Sequence, residues 1–365
     1  MNNPNKIIIA GGGLIGCSLA WRLAQRGAQV TVVESARPGS GASAAAAGML
    51  APLIEAEHAA LRDFALRSLS IFPEFVRELH EASGIDAELQ LTGKYDIAFN
   101  ETEFADLRGR YGKELPNSVR DVAVNDVSAS ISRDATHAIV SDNDGSVDNR
   151  KLARAAWLAA SNAGVEFHVG ASVREVLCGR GPFEGVVLST GERISGDAVV
   201  IASGAWSSSI RGLPLALPVS PVRGQIVALE HVPRVLDRLV MTVDCYIVPR
   251  TDGRVLIGST VERAGFDPRT TASGIAMLLN AGLRAVPALH DASVVETWAG
   301  LRPGTPDDLP ILGGDPRAQG VFYATGHYRN GILLAPITAD VMSDCILNGK
   351  TAVDISAFSV KRFHE

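Results

Sequence analysis

"KIIIAGGGLIGCSLAWRLAQRGAQVTVVES", residues 6–35, decides the fold. Residues 7–10 are an unbroken apolar run, as a parallel strand covered on both faces requires. Gly11, Gly13 and Gly16 follow with G-x-G-x-x-G spacing. In that pattern the first glycine permits a tight turn and the second lets backbone approach a pyrophosphate. The third lets a helix pack close to the strand. Residues 14–25 place Ile15, Leu19 and Leu23 on one helical face, and Gly27 supplies a C-terminal stop. Residues 29–33 read as a second strand, closed by Glu34 eighteen residues beyond Gly16. A carboxylate there accepts the ribose hydroxyls of an adenine nucleotide, while the helix N-terminus takes its phosphates. Strand, glycines, helix, strand and acid in this order predict dinucleotide binding. The acid argues against the extra phosphate of NADP, and it does not separate NAD from FAD.

The next stretch favours FAD. "PGSGASAAAAGMLAP" (38–52) is a long run of very small residues leading into Met49 and Leu50, with no charged residue between Arg37 and Glu55. A linker of this composition is one reading. Small side chains also let backbone lie against a flat, bulky ligand, which an isoalloxazine is.

The rest of the chain supplies strands and helices that leave this unit and return. Residues 58–80 keep helical apolar spacing, with Pro73 expected to kink them, and 91–99 open a strand-rich region. Residues 144–176 read as helix then strand, with Asp148 or Asn149 as the N-cap and Gly164 as the stop. Residues 197–206 form a buried strand running into Ser203-Gly204. Residues 222–229, 245–260 and 293–300 are strand-like, with Asp252-Gly253 as a hairpin turn and 273–286 as a helix between. An apolar strand at 320–326 precedes a helix predicted from about Asn330 to Leu347. The fold class is therefore α/β: a Rossmann-like FAD-binding domain assembled from residues 1–85, 144–217 and 304–365. Residues 86–143 and 218–303 would form a substrate-binding domain with a mixed, mainly antiparallel sheet. Binding sites commonly lie between two such domains.

Bulk properties exclude several function classes. With 365 residues, 46% of them hydrophobic and 20% charged, the chain can bury a large core. A net charge of −6 without a basic block argues against nucleic acid. The apolar run at 7–21 could pass for a signal peptide core, but three successive glycines interrupt it and a strand follows, so it reads as fold. Cys17, Cys178, Cys245 and Cys345 form no CxxC pair, and the eight histidines show no HxH or HExxH spacing. Reduced thiols in a cytoplasmic protein with no metal are the expectation.

Six segments together carry a family resemblance: "GGGLIGCSLAW" (11–21), "SAAAAGMLAP" (43–52), "VVIASGAW" (199–206), "CYIVPR" (245–250), "WAGLRPGTPDDLPILG" (298–313) and "GHYRNGILLAP" (326–336). The chain resembles the glycine oxidases of bacterial thiamine biosynthesis, within the superfamily of D-amino-acid and sarcosine oxidases. The resemblance implies FAD, oxidative deamination of glycine and small amines by oxygen with release of hydrogen peroxide, and a homotetramer. It implies that Arg302 binds the substrate carboxylate, that Tyr246 is its partner, and that Arg329 is a second arginine near the substrate. It implies FAD contacts at Leu14, Ile15, Glu34, Ser35, Ala42, Ser43, Ala47, Gly48, Met49 and Val173. It adds the run His327, Tyr328, Arg329, Asn330, Gly331, Ile332 and Leu333. In sarcosine oxidases a cysteine just before the segment matching "PGTPDD" (303–308) attaches the flavin covalently. Here Leu301 and Arg302 stand in that place, implying noncovalent FAD. Asp244 and Val261 depart from the family pattern at positions close to its substrate, which leaves substrate preference open.

The residue types suit those roles. Arginine offers parallel donors that match a carboxylate fork, and it keeps its charge. The competing reading of Arg302 is a structural ion pair with Asp307 or Asp308, and that of Tyr246 is a packed strand aromatic. Arg329 would stand at the substrate pocket. Asn330 and Gly331 would open a helix whose N-terminal N–H groups face the flavin pyrimidine edge. A D-amino-acid dehydrogenase with another electron acceptor is the alternative of the same fold. An RNA-modifying flavoprotein and a nonredox FAD scaffold are alternatives of other classes.

Overall fold

The computed structural model describes residues 5–53, 58–112, 115–178 and 182–364. Its first elements fall where the opening motif puts them: β1 Lys6–Ala10, α1 Leu14–Gln25 and β2 Gln29–Glu34. β1 lies inside a six-stranded sheet, paired in parallel with β2 on one side and with Ala198–Ile201 on the other. Both faces are covered, which explains the unbroken apolar run. Ile7 and Ile9 enter one core together with α1, whereas Ile8 and Ala10 enter another together with Val186 and Leu188 of a three-stranded sheet.

Two glycines make the β1–α1 connection possible. Gly11 has φ +112°, a left-handed conformation that a side chain would strain. A Cβ on Gly16 would stand 2.0 Å from the Gly11 carbonyl oxygen, so α1 can approach β1 only without one. α1 packs between the helices Asn149–Asn162 and Ala335–Asn348. Asp148, not Asn149, caps the first of these, its carboxylate accepting from Lys151 N at 2.9 Å. Asp148→Ala is expected to lower the unfolding free energy by about 1 kcal/mol. An unchanged urea midpoint and slope would show that this cap carries no stability.

The six-stranded sheet draws its strands from residues 6–34, 166–169, 198–201 and 311–325, and its last strand, Ile311–Gly314, runs antiparallel to Val321–Thr325. A second sheet of eight strands is antiparallel except where Leu239–Met241 meets Lys94–Ala98. Its strands come from residues 94–141 and 220–304. The long strands Ser220–Glu230 and Ser293–Gly304 form one edge, and the hairpin Tyr246–Pro249 with Arg254–Gly258 lies beside them. The helix Ala59–Ser83 runs on through Pro73. Among the described residues no helix is long and apolar enough to cross a membrane.

One helix starts later than its sequence suggests. The segment after 326 makes turns at 328–329 and 331–334, and the regular helix begins at Ala335, not at Asn330. Leu334 N does bond the Asn330 carbonyl at 2.8 Å, so a single helical turn precedes it. The reason is Pro336. In the first turn its missing N–H costs nothing, whereas in the interior of a helix begun at 330 its ring would clash with the preceding turn.

Candidate active site

The carboxyl ends of the parallel strands converge on one cavity of about 760 Å³. Gly11, Glu34, Ala202 and Thr325, at or just beyond the ends of four strands, line it from below. Gly224, Ile226, Tyr246, Ser259 and Arg302 of the eight-stranded sheet region line it from the other side. Small-molecule and cofactor sites typically enclose about 300–1,000 Å³, and open α/β sheets bind ligands at their strand ends.

The lower wall fits a dinucleotide. Gly13 is the N-cap residue of α1 and offers no side chain to its own helix end, which borders the cavity with Leu14 and Ile15. A helix N-terminus whose N-cap residue brings no side chain is where a pyrophosphate is held. Ser43 Oγ accepts from Leu14 N at 2.9 Å and so ties the small-residue run to this helix end. Glu34 accepts from Gly12 N at 2.7 Å and from Ala36 N at 2.9 Å, which fixes its carboxylate at the cavity edge. Ser35, Ala42, Ala47, Gly48, Met49 and Val173 also line the cavity, so the alanine-rich stretch is wall and not linker. Gly16 does not line it; its part is the close packing described above.

The closing segment behaves similarly. His327, Tyr328, Arg329, Asn330, Gly331, Ile332 and Leu333 all line the cavity. Tyr328 N bonds the Pro303 carbonyl at 3.1 Å, which docks the segment beside Arg302. His327 is buried against Thr338 Oγ1 at 3.1 Å, and burial pushes its pKa down to about 3, so its imidazole is neutral. Arg329 lines the cavity from an exposed position.

Arg302 lies half-buried on the strand Ser293–Gly304, where its backbone pairs with Val222. Its guanidinium crosses Gly224 to reach the next strand, donating to the Thr260 carbonyl at 3.2 Å and to Ser259 Oγ at 2.5 Å. A Cβ on Gly224 would stand 2.2–2.4 Å from the guanidinium atoms, so the missing side chain is what admits the arginine. Among the described residues Arg302 has no carboxylate partner, and Asp307 pairs instead with Arg362 at 2.7 Å. The ion-pair reading of Arg302 therefore gives way to a cation whose partners among the described residues are neutral acceptors on a cavity wall. Tyr246 lines the same wall, directly across its hairpin from Gly258.

Several residues that line or support the cavity wall escaped the sequence reading. Gly224 and Ser259 meet Arg302 only through strand pairing, and no local motif marks them. Arg250 ends the quoted "CYIVPR" and carried no assigned role; it is buried and holds the cavity wall. Conversely, Asp244 and Val261 do not line the cavity, and both are exposed. None of the four cysteines lines it either. Burial raises the Cys17 thiol and pushes Cys245 up to about 12, so neither is a ready nucleophile. Among the described residues no group of His, Cys, Asp and Glu could hold a metal.

Fold and cavity thus define an enzyme in which one cavity joins a dinucleotide-binding wall to a wall that carries an arginine. The chain belongs to the family of FAD dependent oxidoreductases designated DAO, whose pattern matches residues 6–345. It is 36% identical to a glycine oxidase of Geobacillus kaustophilus, the match covering 99% of this chain and 98% of that one. The crystal structure of glycine oxidase from that organism superposes with a TM-score of 0.92, at 35% identity and 99% coverage of both chains. A bifunctional protein ThiO/ThiG of Trichormus variabilis is 38% identical over 98% of this chain, which spans only 55% of that relative. FAD is the cofactor of the family, and the helix end, Glu34 and the small-residue wall are the groups that would hold it.

Proposed function

We propose that the chain oxidises glycine and other small amino acids or amines, such as sarcosine and small D-amino acids, at the carbon bearing nitrogen. From glycine the products are the imine, which hydrolyses to glyoxylate and ammonia, and hydrogen peroxide from oxygen; other substrates give the corresponding 2-oxo acid or aldehyde and amine. The observation that carries this reading is Arg302, a cavity-lining guanidinium whose described partners are neutral. FAD, when bound, supplies the two-electron acceptor for the carbon–hydrogen bond. Arg302 binds the carboxylate through its remaining N–H groups, and Tyr246 and Arg329 bound the space in which the small substrate is oriented. Among the described lining residues Glu34 is the sole carboxylate and His327 is a neutral imidazole turned to Thr338. Glu34 is engaged by the Gly12 and Ala36 N–H groups and His327 by Thr338, so on this reading neither is the base and the amine enters neutral. The resemblance and the names of the relatives support glycine as substrate, the thiazole part of thiamine biosynthesis as the setting, and a homotetramer as the assembly.

The test is an anaerobic titration of the yellow holoenzyme with glycine, sarcosine, D-alanine and methylamine. Carboxylate-bearing amines are expected to bleach the flavin absorbance, with methylamine at least tenfold less effective because it lacks the group Arg302 binds. Admitting air should restore the colour with one peroxide per turnover. Equal bleaching by methylamine would sink the carboxylate reading, and colour recovery without peroxide would point to a dehydrogenase.

A further inference from the structure

We propose that Ser259 is a second carboxylate-binding residue, its hydroxyl accepting from Arg302 while donating its own proton to the substrate carboxylate. The inference deepens the proposed function and rests on the reading of Arg302 as the carboxylate anchor.

The argument begins with hydrogen-bond inventory. Arg302 Nη2 donates to Ser259 Oγ. A guanidinium has donors only and keeps its protons, so the serine proton cannot point back at it. A hydroxyl has one proton and two lone pairs, and the arginine uses one lone pair. Among the described residues Ser259 Oγ has no other hydrogen-bond partner. Ser259 lines the cavity with Tyr246 and Arg302, so its proton has the cavity before it. Donation from a cation to the oxygen polarises the hydroxyl and makes it a stronger donor.

The hydroxyl also sits on a fixed frame. Thr260, the next residue, is buried; its Oγ1 accepts from Gln225 N at 2.9 Å and donates to Glu262. Glu262 is bonded by Arg223 and by Gln225 Nε2, the latter at 2.7 Å. Backbone bonds of 2.8 and 3.0 Å join Arg223 and Glu262 in both directions. The segment carrying both acceptors of Arg302 is therefore clamped to the neighbouring strand, and Ser259 is held in place before any ligand arrives. The ligand group that satisfies the arginine's donors and the serine's proton at once is acceptor-only, planar and anionic. A carboxylate meets all three conditions.

The experiment titrates oxidised, FAD-loaded enzyme with acetate and follows the perturbation of flavin absorbance. Ser259→Ala should weaken acetate roughly tenfold, as for loss of a hydrogen bond to a charged group. FAD content should be unchanged, the KM for glycine should rise in step, and kcat should hold. Ser259→Thr, which keeps the hydroxyl, should restore binding. Ser259→Cys, similar in volume but only a weak donor, is the second variant and should weaken acetate likewise. Acetate affinity equal to the parent's in Ser259→Ala, or in Ser259→Cys where the alanine variant does not load FAD, overturns the assignment. Arg302→Leu in the same titration separates the two readings. If it binds acetate as the parent does, the carboxylate anchor itself is wrong; if it loses acetate while the Ser259 variants keep it, Ser259 alone is misassigned.

Discussion

Arg302→Leu enzyme, fully loaded with FAD, is expected to oxidise glycine with kcat/KM lowered roughly 30- to 5,000-fold, the equivalent of about 2–5 kcal/mol. The size follows from what the guanidinium touches. Its described partners, the Thr260 carbonyl and the Ser259 hydroxyl, orient it without neutralising it. The guanidinium therefore remains a cation that an incoming carboxylate can pair with in a half-buried site, where such pairs are stronger than in bulk water. Leucine keeps much of the bulk over Gly224 and removes every donor. A carboxylate bound equally in the ground and transition states would show its loss in KM. Poorer alignment of the carbon–hydrogen bond would add a fall in kcat. Arg302→Lys should recover part of the loss, since an ammonium supplies charge without the planar fork. The measurement is steady-state peroxide release under air, with FAD content determined for each variant. Undiminished kcat/KM in the leucine variant would remove the basis for the proposed substrate.

The opening motif was legible almost to the residue because every signal in it is local. Gly11 must turn and Gly16 must let α1 approach, constraints that act within about twenty residues, and the apolar run of β1 is itself the local mark of a strand covered on both faces. Elsewhere local signals left a choice that the tertiary structure made. The apolar run 332–335 is buried whether helical or not, so burial could not locate the helix start, and Pro336 decides it. The Asp252-Gly253 turn was visible, but its register was not. Pro249 pairs with Val255 and Arg250 N bonds the Arg254 carbonyl, which leaves a three-residue loop with Gly253 at φ +90°. A one-residue slip would have turned Tyr246 off the cavity wall. The pocket around Arg302 was the least legible part. Its floor, Gly224, its acceptors at 259 and 260, and Arg302 itself lie on three strand segments, and their meeting depends on sheet order. Composition could say that an arginine would bind a carboxylate; it could not say which neutral groups would hold it ready.

The same limit hid Arg250, whose replacement should be the most damaging to cofactor retention. Its guanidinium is buried and donates to the Val147 carbonyl at 2.6 Å, the Ala47 carbonyl at 2.9 Å and Asn149 Oδ1 at 2.8 Å. Asn149 in turn donates to the Ser43 and Ala44 carbonyls at 2.8 and 3.1 Å. One side chain from the eight-stranded sheet thus fastens the backbone of the alanine-rich wall from two directions. That wall has few means of its own to stay in place, since alanines offer no polar side chain. Arg250→Met fills similar space but leaves three buried acceptors without donors, each costing about 1–3 kcal/mol. Relief from desolvating the charge offsets part of this, because burial already works against the cation there. A net loss of roughly 3–5 kcal/mol in apoenzyme stability is expected from these opposing contributions. FAD affinity should fall at least tenfold as well, because segment 42–49 must be re-ordered on binding. Arg250→Lys should fall between the two, since a single ammonium cannot span all three acceptors. Urea unfolding of apoenzyme and FAD titration by flavin fluorescence measure the two effects separately. Were the methionine variant to unfold at the parent's urea midpoint and bind FAD as tightly, the wall would have to be held by its own packing.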